Sequence, residues 1–151
     1  DTVLLANAES IAVEASMVAY EGVVIAAERD AGSLRTMEEN ASKFGTHNIE
    51  IIPEITVEAL EKLPTPRLAF IVAQKSNIEN DIVTLLKVNP KIKFIIYTLE
   101  LDILADIKYL MKKHGVDVTE VMQIAVSKVD KNGVFVAQPA PWMITCEVKE
   151  K

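Results

Sequence analysis

The chain has 151 residues, half of them hydrophobic and a quarter charged, with a net charge of −6. This length suits one domain rather than two cores, and the composition excludes a mainly disordered chain. No apolar run reaches the ~18 residues of a membrane-spanning helix. The acidic balance argues against the basic face of a general nucleic-acid binder.

Thr2 to Ala6 is a short apolar run and reads as the first strand. Glu9 to Ala19, rich in Ala, Glu, Met and Val, reads as a helix. Val23 to Ala27 has no polar alternation, so it is expected to be a strand buried on both faces. Ala31 to Phe44 carries Leu34, Met37, Ala41 and Phe44 at helical spacing, with Gly45 as C-cap. Ile49 to Ile52 is the third strand, ended by Pro53, and Val57 to Leu63 a short helix with Leu60 and Leu63 inward. Leu68 to Val72 is the fourth strand, and Ile78 to Val88 a helix broken by Asn89-Pro90. Ile92 to Tyr97 is the fifth strand, and Leu101 to Lys113 a helix with Ile103, Leu104, Ile107, Leu110 and Met111 inward and Gly115 as its cap. Val116 to Val129 then alternates like strand, with Val118, Val121, Ile124 and Val126. Asp130 to Gly133 is a hairpin turn with an Asn-Gly pair. Val134 to Ala137 and Trp142 to Val148 supply further strand. The expected fold is α/β: a doubly wound, mainly parallel sheet with a C-terminal antiparallel hairpin.

A single cysteine, Cys146, excludes an internal disulfide framework. With only two histidines beside it, a structural zinc site is not expected. The setting is read as reducing and cytoplasmic. The chain starts at Asp1 and runs straight into an apolar stretch with no basic leader. That start is read as a cut within a larger polypeptide or a trimmed version of one. Residues 1–151 are then a single domain.

In such a sheet, ligands bind beyond the carboxyl ends of the strands. The first turn, Leu5-Ala6-Asn7-Ala8-Glu9-Ser10, has no glycine, and Glu9 puts negative charge where phosphates would sit. A dinucleotide or P-loop site is therefore disfavoured. Glu28 ends the second strand, where a carboxylate can accept hydrogen bonds from ribose hydroxyls. It can equally cap the next helix or face solvent. His47 lies in a loop without a partner base, and His114 suits the negative end of a helix dipole. Cys146 reads as a small core residue, and Trp142 as core or interface. Glu38-Glu39 and Lys112-Lys113 read as solvated helix faces.

Several ordered segments carry a resemblance. They are Ser10 to Ala15, Val24 to Asp30, Glu39 to Gly45, Glu58-Ala59-Leu60 with Leu63-Pro64, Thr98-Leu99-Glu100 and Gln123 to Lys128. Together they resemble the decarboxylating precorrin-6Y methyltransferases of cobalamin biosynthesis, in particular the carbon-15-methylating, decarboxylating domain. The resemblance implies a Rossmann-like class I S-adenosylmethionine-dependent methyltransferase fold. It implies methyl transfer to a corrin precursor, a tetrapyrrole, with loss of carbon dioxide from an acetate side chain. It also implies a homo-oligomer, a tetramer, and a methyltransferase domain fused to it or acting as its partner. Nucleic acid, membrane and metal are not among the expected ligands.

Residue by residue, the cofactor positions implied are Leu5, Ala6, Asn7, Glu9, Glu28, Ile55, Val72, Ala73 and Gln74. Thr98 and Glu100 fall on the substrate side, with no catalytic side chain assigned. The departures cluster here. The family's first loop reads close to G-A-G-S-G, whereas Leu5 to Glu9 has no glycine. Ile55 stands where the family has an acid for the adenine amino group, and Val72-Ala73-Gln74-Lys75 replaces a glycine pair. Scaffold signals persist while site signals decay. A catalytically inactive domain serving assembly, or binding a partner or another small ligand, is therefore the alternative to an active methyltransferase. In that last case Asn7, Glu9, Gln74 and Lys75 would be the new polar contacts.

Overall fold

The computed structural model describes residues 2–6, 22–43, 48–125 and 127–149. Nine strands and four helices follow one another in these segments: β1 (Thr2–Ala6), β2 (Val23–Ala27), α1 (Ala31–Lys43), β3 (Ile49–Ile52), α2 (Val57–Glu61), β4 (Leu68–Val72), α3 (Ile78–Val88), β5 (Lys93–Thr98), α4 (Leu101–Lys113), β6 (Val116–Gln123), β7 (Ser127–Val129), β8 (Phe135–Ala137) and β9 (Trp142–Val148). The expected Glu9–Ala19 helix, Phe44, Gly45 and His47 lie outside the described residues.

Seven strands form one sheet in the order β3-β2-β1-β4-β5-β9-β6. The first five run parallel, and β9 is antiparallel to both neighbours. The hairpin expected at the Asp130–Gly133 turn is that of β7 and β8, while β6 pairs with β9, which inserts next to β5. β7 and β8 form a separate two-stranded ribbon within the connection.

Alternating side chains divide the core between the two faces. Leu4, Ala6, Ile25, Ala27, Ile71, Phe94 and Ile96 pack with Leu60 of α2, Ile78, Ile82 and Leu85 of α3, and Ile103, Ile107 and Met111 of α4. Leu5, Val24 and Ala26 pack on the other face with Met37 and Ala41 of α1. Strands covered on both sides explain the runs without polar alternation.

Several boundaries differ from the reading of the sequence; β5 runs on to Thr98, and β8 begins at Phe135 rather than Val134. α2 stops at Glu61 because Leu63 precedes a proline, which disfavours helical backbone there. Leu63 still packs against the core, and its N–H reaches the Leu60 carbonyl at 3.1 Å. β5 starts at Lys93 because the Ile92 N–H closes a turn onto the Asn89 carbonyl at 3.1 Å. The run from Val116 to Val129 divides after Gln123 into β6 and β7.

Candidate functional site

β1 and β4 are neighbours, but the chain leaves β1 towards β2 on one side and leaves β4 towards β5 on the other. Their carboxyl ends therefore form the topological switch point of the sheet, where ligands of this architecture bind. The register aligns the ends: Ala6 lies opposite Ala27 and Ile71, Ala27 opposite Ile52, and Ile71 opposite Ile96. Glu28, Val72 and Thr98 follow within two positions of this rank, so the fold collects them on one edge.

Glu28 is only 6% exposed. Its N–H bonds the Ile52 carbonyl at 3.0 Å, and its Oε1 accepts the Asp30 N–H at 3.1 Å. Its carboxylate thus closes the turn leading into α1. Asp30 makes the more direct cap, accepting the Ser33 N–H at 2.8 Å. Leu5 and Val72 belong to the α1-side cluster, whereas Ala6, Ile55 and Ala73 are buried in the larger one. Gln74 is exposed and accepts a hydrogen bond from Asn77 Nδ2 at 3.1 Å. Thr98 is buried, and its Oγ1 accepts the Glu100 N–H at 2.9 Å. Glu100 is exposed at the N-cap of α4. Asn7 and Glu9 lie outside the described residues.

The residue that reading the sequence missed is Asp81. It is 1% exposed in the first turn of α3 and meets Arg29 Nη2 at 2.7 Å, with Nη1 at 3.3 Å from its second oxygen. This forked pair joins the turn after β2 to the helix after β4, with β1 between those two strands. The hydrogen bond to Asp81 holds the Arg29 guanidinium above its ordinary range, with Glu54 and Glu28 adding charge in the same sense. Burial pushes the Asp81 carboxyl upward, further than Arg29 pulls it back. One signal could have found it: Ile78, Asp81, Ile82 and Leu85 share one helical stripe, and Asp81 is its only carboxylate.

Three carboxylates thus act on Arg29: Asp81 by direct contact, and Glu54 and Glu28 through charge alone. The edge carries surplus negative charge. A hollow lies elsewhere, at the amino ends of β1, β4 and β5, lined by Arg67, Lys91, Lys93 and Lys149 among others. It does not include the residues at the switch point.

Of the residues read as structural, Cys146 is fully buried, and burial pushes its thiol up to about 12, which makes it a poor nucleophile. His114 follows the last turn of α4, with Nε2 3.5 Å from a Glu79 oxygen that Lys113 also approaches at 3.5 Å. Lys113 hydrogen-bonds this carboxylate, whereas His114 Nε2 makes no hydrogen bond among the described residues. Among the described residues, no group of His, Cys, Asp or Glu is placed to hold a metal ion, and no helix is long and apolar enough to cross a membrane.

The strand order, the antiparallel β9 and the carboxyl-edge switch point define a Rossmann-like class I methyltransferase fold. Within that class the chain belongs to the precorrin methyltransferase domain family, whose model matches residues 5–148. Similar solved structures carry the same fold. The precorrin-6Y C5,15-methyltransferase from Geobacter metallireducens is 24% identical with a TM-score of 0.84, covering 98% of this chain and 79% of that one. The precorrin 8W decarboxylase of Methanobacterium thermoautotrophicum is 18% identical, TM-score 0.74, covering 98% and 82%. A ribosomal protein L11 methylase from Lactobacillus delbrueckii is 15% identical, TM-score 0.68, covering 98% and 70%. No curated protein matches the chain.

Proposed function

We propose that this chain binds S-adenosylmethionine at the carboxyl edge and transfers its methyl group to a corrin precursor, with loss of carbon dioxide from an acetate side chain. The observation that carries the reading is Glu28. A shielded carboxylate ends β2 beside the switch point, in a chain of the precorrin methyltransferase family. The residues present fit the nucleoside half of the cofactor. Glu28 would accept hydrogen bonds from the ribose hydroxyls. The surplus of carboxylates suits a ligand that carries a sulfonium and an ammonium charge.

When bound, the cofactor supplies an electrophilic methyl group on sulfur. The chain's task is then mainly positioning, which shortens the approach of a carbon nucleophile without a dedicated acid or base. Thr98 and Glu100, at the end of β5, lie on the side where the tetrapyrrole would approach. The bond from the Glu100 N–H to Thr98 Oγ1 at 2.9 Å holds the entry to α4 in place.

Ile55 favours a second reading. It is buried in the core at the position matched to the family's adenine-binding acid. An apolar side chain there offers no hydrogen bond to the adenine amino group. A domain that has given up the cofactor and serves assembly would look the same at this position.

Calorimetric titration with S-adenosylhomocysteine decides between them. Micromolar binding that Glu28→Ala weakens by at least tenfold, about 1.4 kcal/mol, supports the cofactor reading. No heat and no thermal shift at millimolar ligand would establish the second.

A further inference from the structure

Asp81 is a buried charge that methyl transfer does not use. It lies on a stripe of α3 shared with Ile78, Ile82 and Leu85. Replacing a buried ion pair by apolar packing is often neutral or stabilising, so stability alone does not account for a carboxylate in that place. What a forked pair adds is geometry. The planar guanidinium fixes both the distance and the angle at which its partner is held. Here the two backbones stand on either side of β1, because β2 and β4 are its neighbours in the sheet. Two strand spacings, about 10 Å, separate those strands. The pair completes a chain of hydrogen bonds from one side to the other. The Gln74 carbonyl accepts the Asn77 and Ile78 N–H groups, both at 3.0 Å, which ties the turn after β4 to the start of α3. The Asp81 N–H bonds the Asn77 carbonyl at 2.9 Å, and the Asp81 carboxylate takes the Arg29 fork at 2.7 and 3.3 Å. Arg29 directly follows Glu28, whose N–H the Ile52 carbonyl holds at 3.0 Å.

We infer that Arg29 and Asp81 are positioning residues that set the span across β1 between Glu28 and the turn at residues 72–74, and so the length of ligand that both ends hold at once. The inference rests on the cofactor reading. In that reading the ribose meets Glu28, and the rest of the cofactor reaches across β1 towards residues 72–74. A ligand that bridges the two ends requires the span to be right. A ligand that stops at the ribose does not. The pair works through Glu28 on one side and Gln74 on the other, so it orients the groups that meet the ligand. A misplacement of about 1 Å between two such groups is enough to weaken a ligand that needs both.

The test compares two ligands by calorimetry on the full chain, below the thermal midpoint of each variant. S-adenosylhomocysteine bridges the two ends, and adenosine does not. Asp81→Asn keeps the shape of the side chain and removes its charge. It is expected to raise the Kd of S-adenosylhomocysteine about tenfold and that of adenosine by less than about twofold. Arg29→Met is expected to give the same pattern, and the double variant to bind no more weakly than either single one, because the two residues act as a unit. Should Asp81→Asn unfold, Arg29→Lys decides, since it keeps the charge at a part-exposed position and loses the fork. A variant set that binds S-adenosylhomocysteine like the wild type overturns the inference and leaves the cofactor reading standing. Equal weakening of both ligands overturns it too, because a merely structural role would act on both. A wild-type chain that binds neither ligand overturns the cofactor reading, and this inference with it.

Discussion

Asp81 shows how a single buried charge couples two turns of the fold. Its carboxylate has left water for an apolar helix stripe, a loss that the fork from Arg29 offsets. Removing one partner of such a pair leaves the other poorly compensated. Asp81→Ala is expected to lower stability by about 2 kcal/mol, less than for a fully buried pair because Arg29 is 23% exposed. The pH dependence follows from the raised carboxyl. Between its ordinary value of 3.8 and its higher folded value, the native state keeps a proton that the unfolded chain has released. The Asp81 contribution to stability is therefore fully present below 3.8 and declines as pH rises through that window. Urea unfolding of the wild type and Asp81→Asn at a series of pH values reads this directly. Their difference should shrink as pH rises and then stay level. A difference that grows with pH would show that Arg29, not burial, dominates at this carboxyl.

At the scale of elements, the legible features are those set by neighbours in sequence. β1, β2, β3, β4, α3, α4 and β9 carry the boundaries that hydrophobic period and Pro-Gly punctuation imply. Gly115 illustrates why. It follows α4 with φ at +76°, and its N–H bonds the Lys112 carbonyl at 3.1 Å. A left-handed residue ends a helix cleanly, and glycine takes that backbone without steric penalty. An added Cβ would meet nothing within 4 Å, so the cost of Gly115→Ala is conformational alone. It should destabilise by about 1 kcal/mol, and Gly115→Asn by less, in denaturant melts with unchanged slope. An alanine variant as stable as wild type would show that the helix end relaxes freely. Less legible is the division of the run after Gly115. Val118, Val121 and Ile124 read as continuous strand, but their cover depends on what lies across the sheet. β6 loses that cover after its bulge, and local pattern carries no record of it.

At the scale of the whole molecule, the order of the sheet is a long-range property that the linear pattern only partly encodes. Alternating β and α segments imply the five parallel strands, but nothing local to Trp142–Val148 dictates insertion beside β5. The site divides in the same way. Glu28 was legible because a strand end and an acid coincide, whereas the Arg29–Asp81 link joins residues 52 apart. Together these distant groups give the molecule its charge pattern. Glu28, Glu54 and Asp81 all act on one arginine at the carboxyl edge, while Arg67, Lys91, Lys93 and Lys149 line the hollow at the amino edge. A phosphate brought to the carboxyl edge meets like charge, at a cost of roughly 1 kcal/mol for each near neighbour even at the dielectric of bulk water. Adenosine should therefore displace S-adenosylhomocysteine from this edge more readily than AMP does, by about tenfold in competition calorimetry. Glu54→Gln, which removes one of the repelling charges, should narrow the gap, and raised salt should narrow it further. Equal competition by the two ligands would mean that the phosphate does not sit near these carboxylates, and that the nucleoside lies away from Glu28.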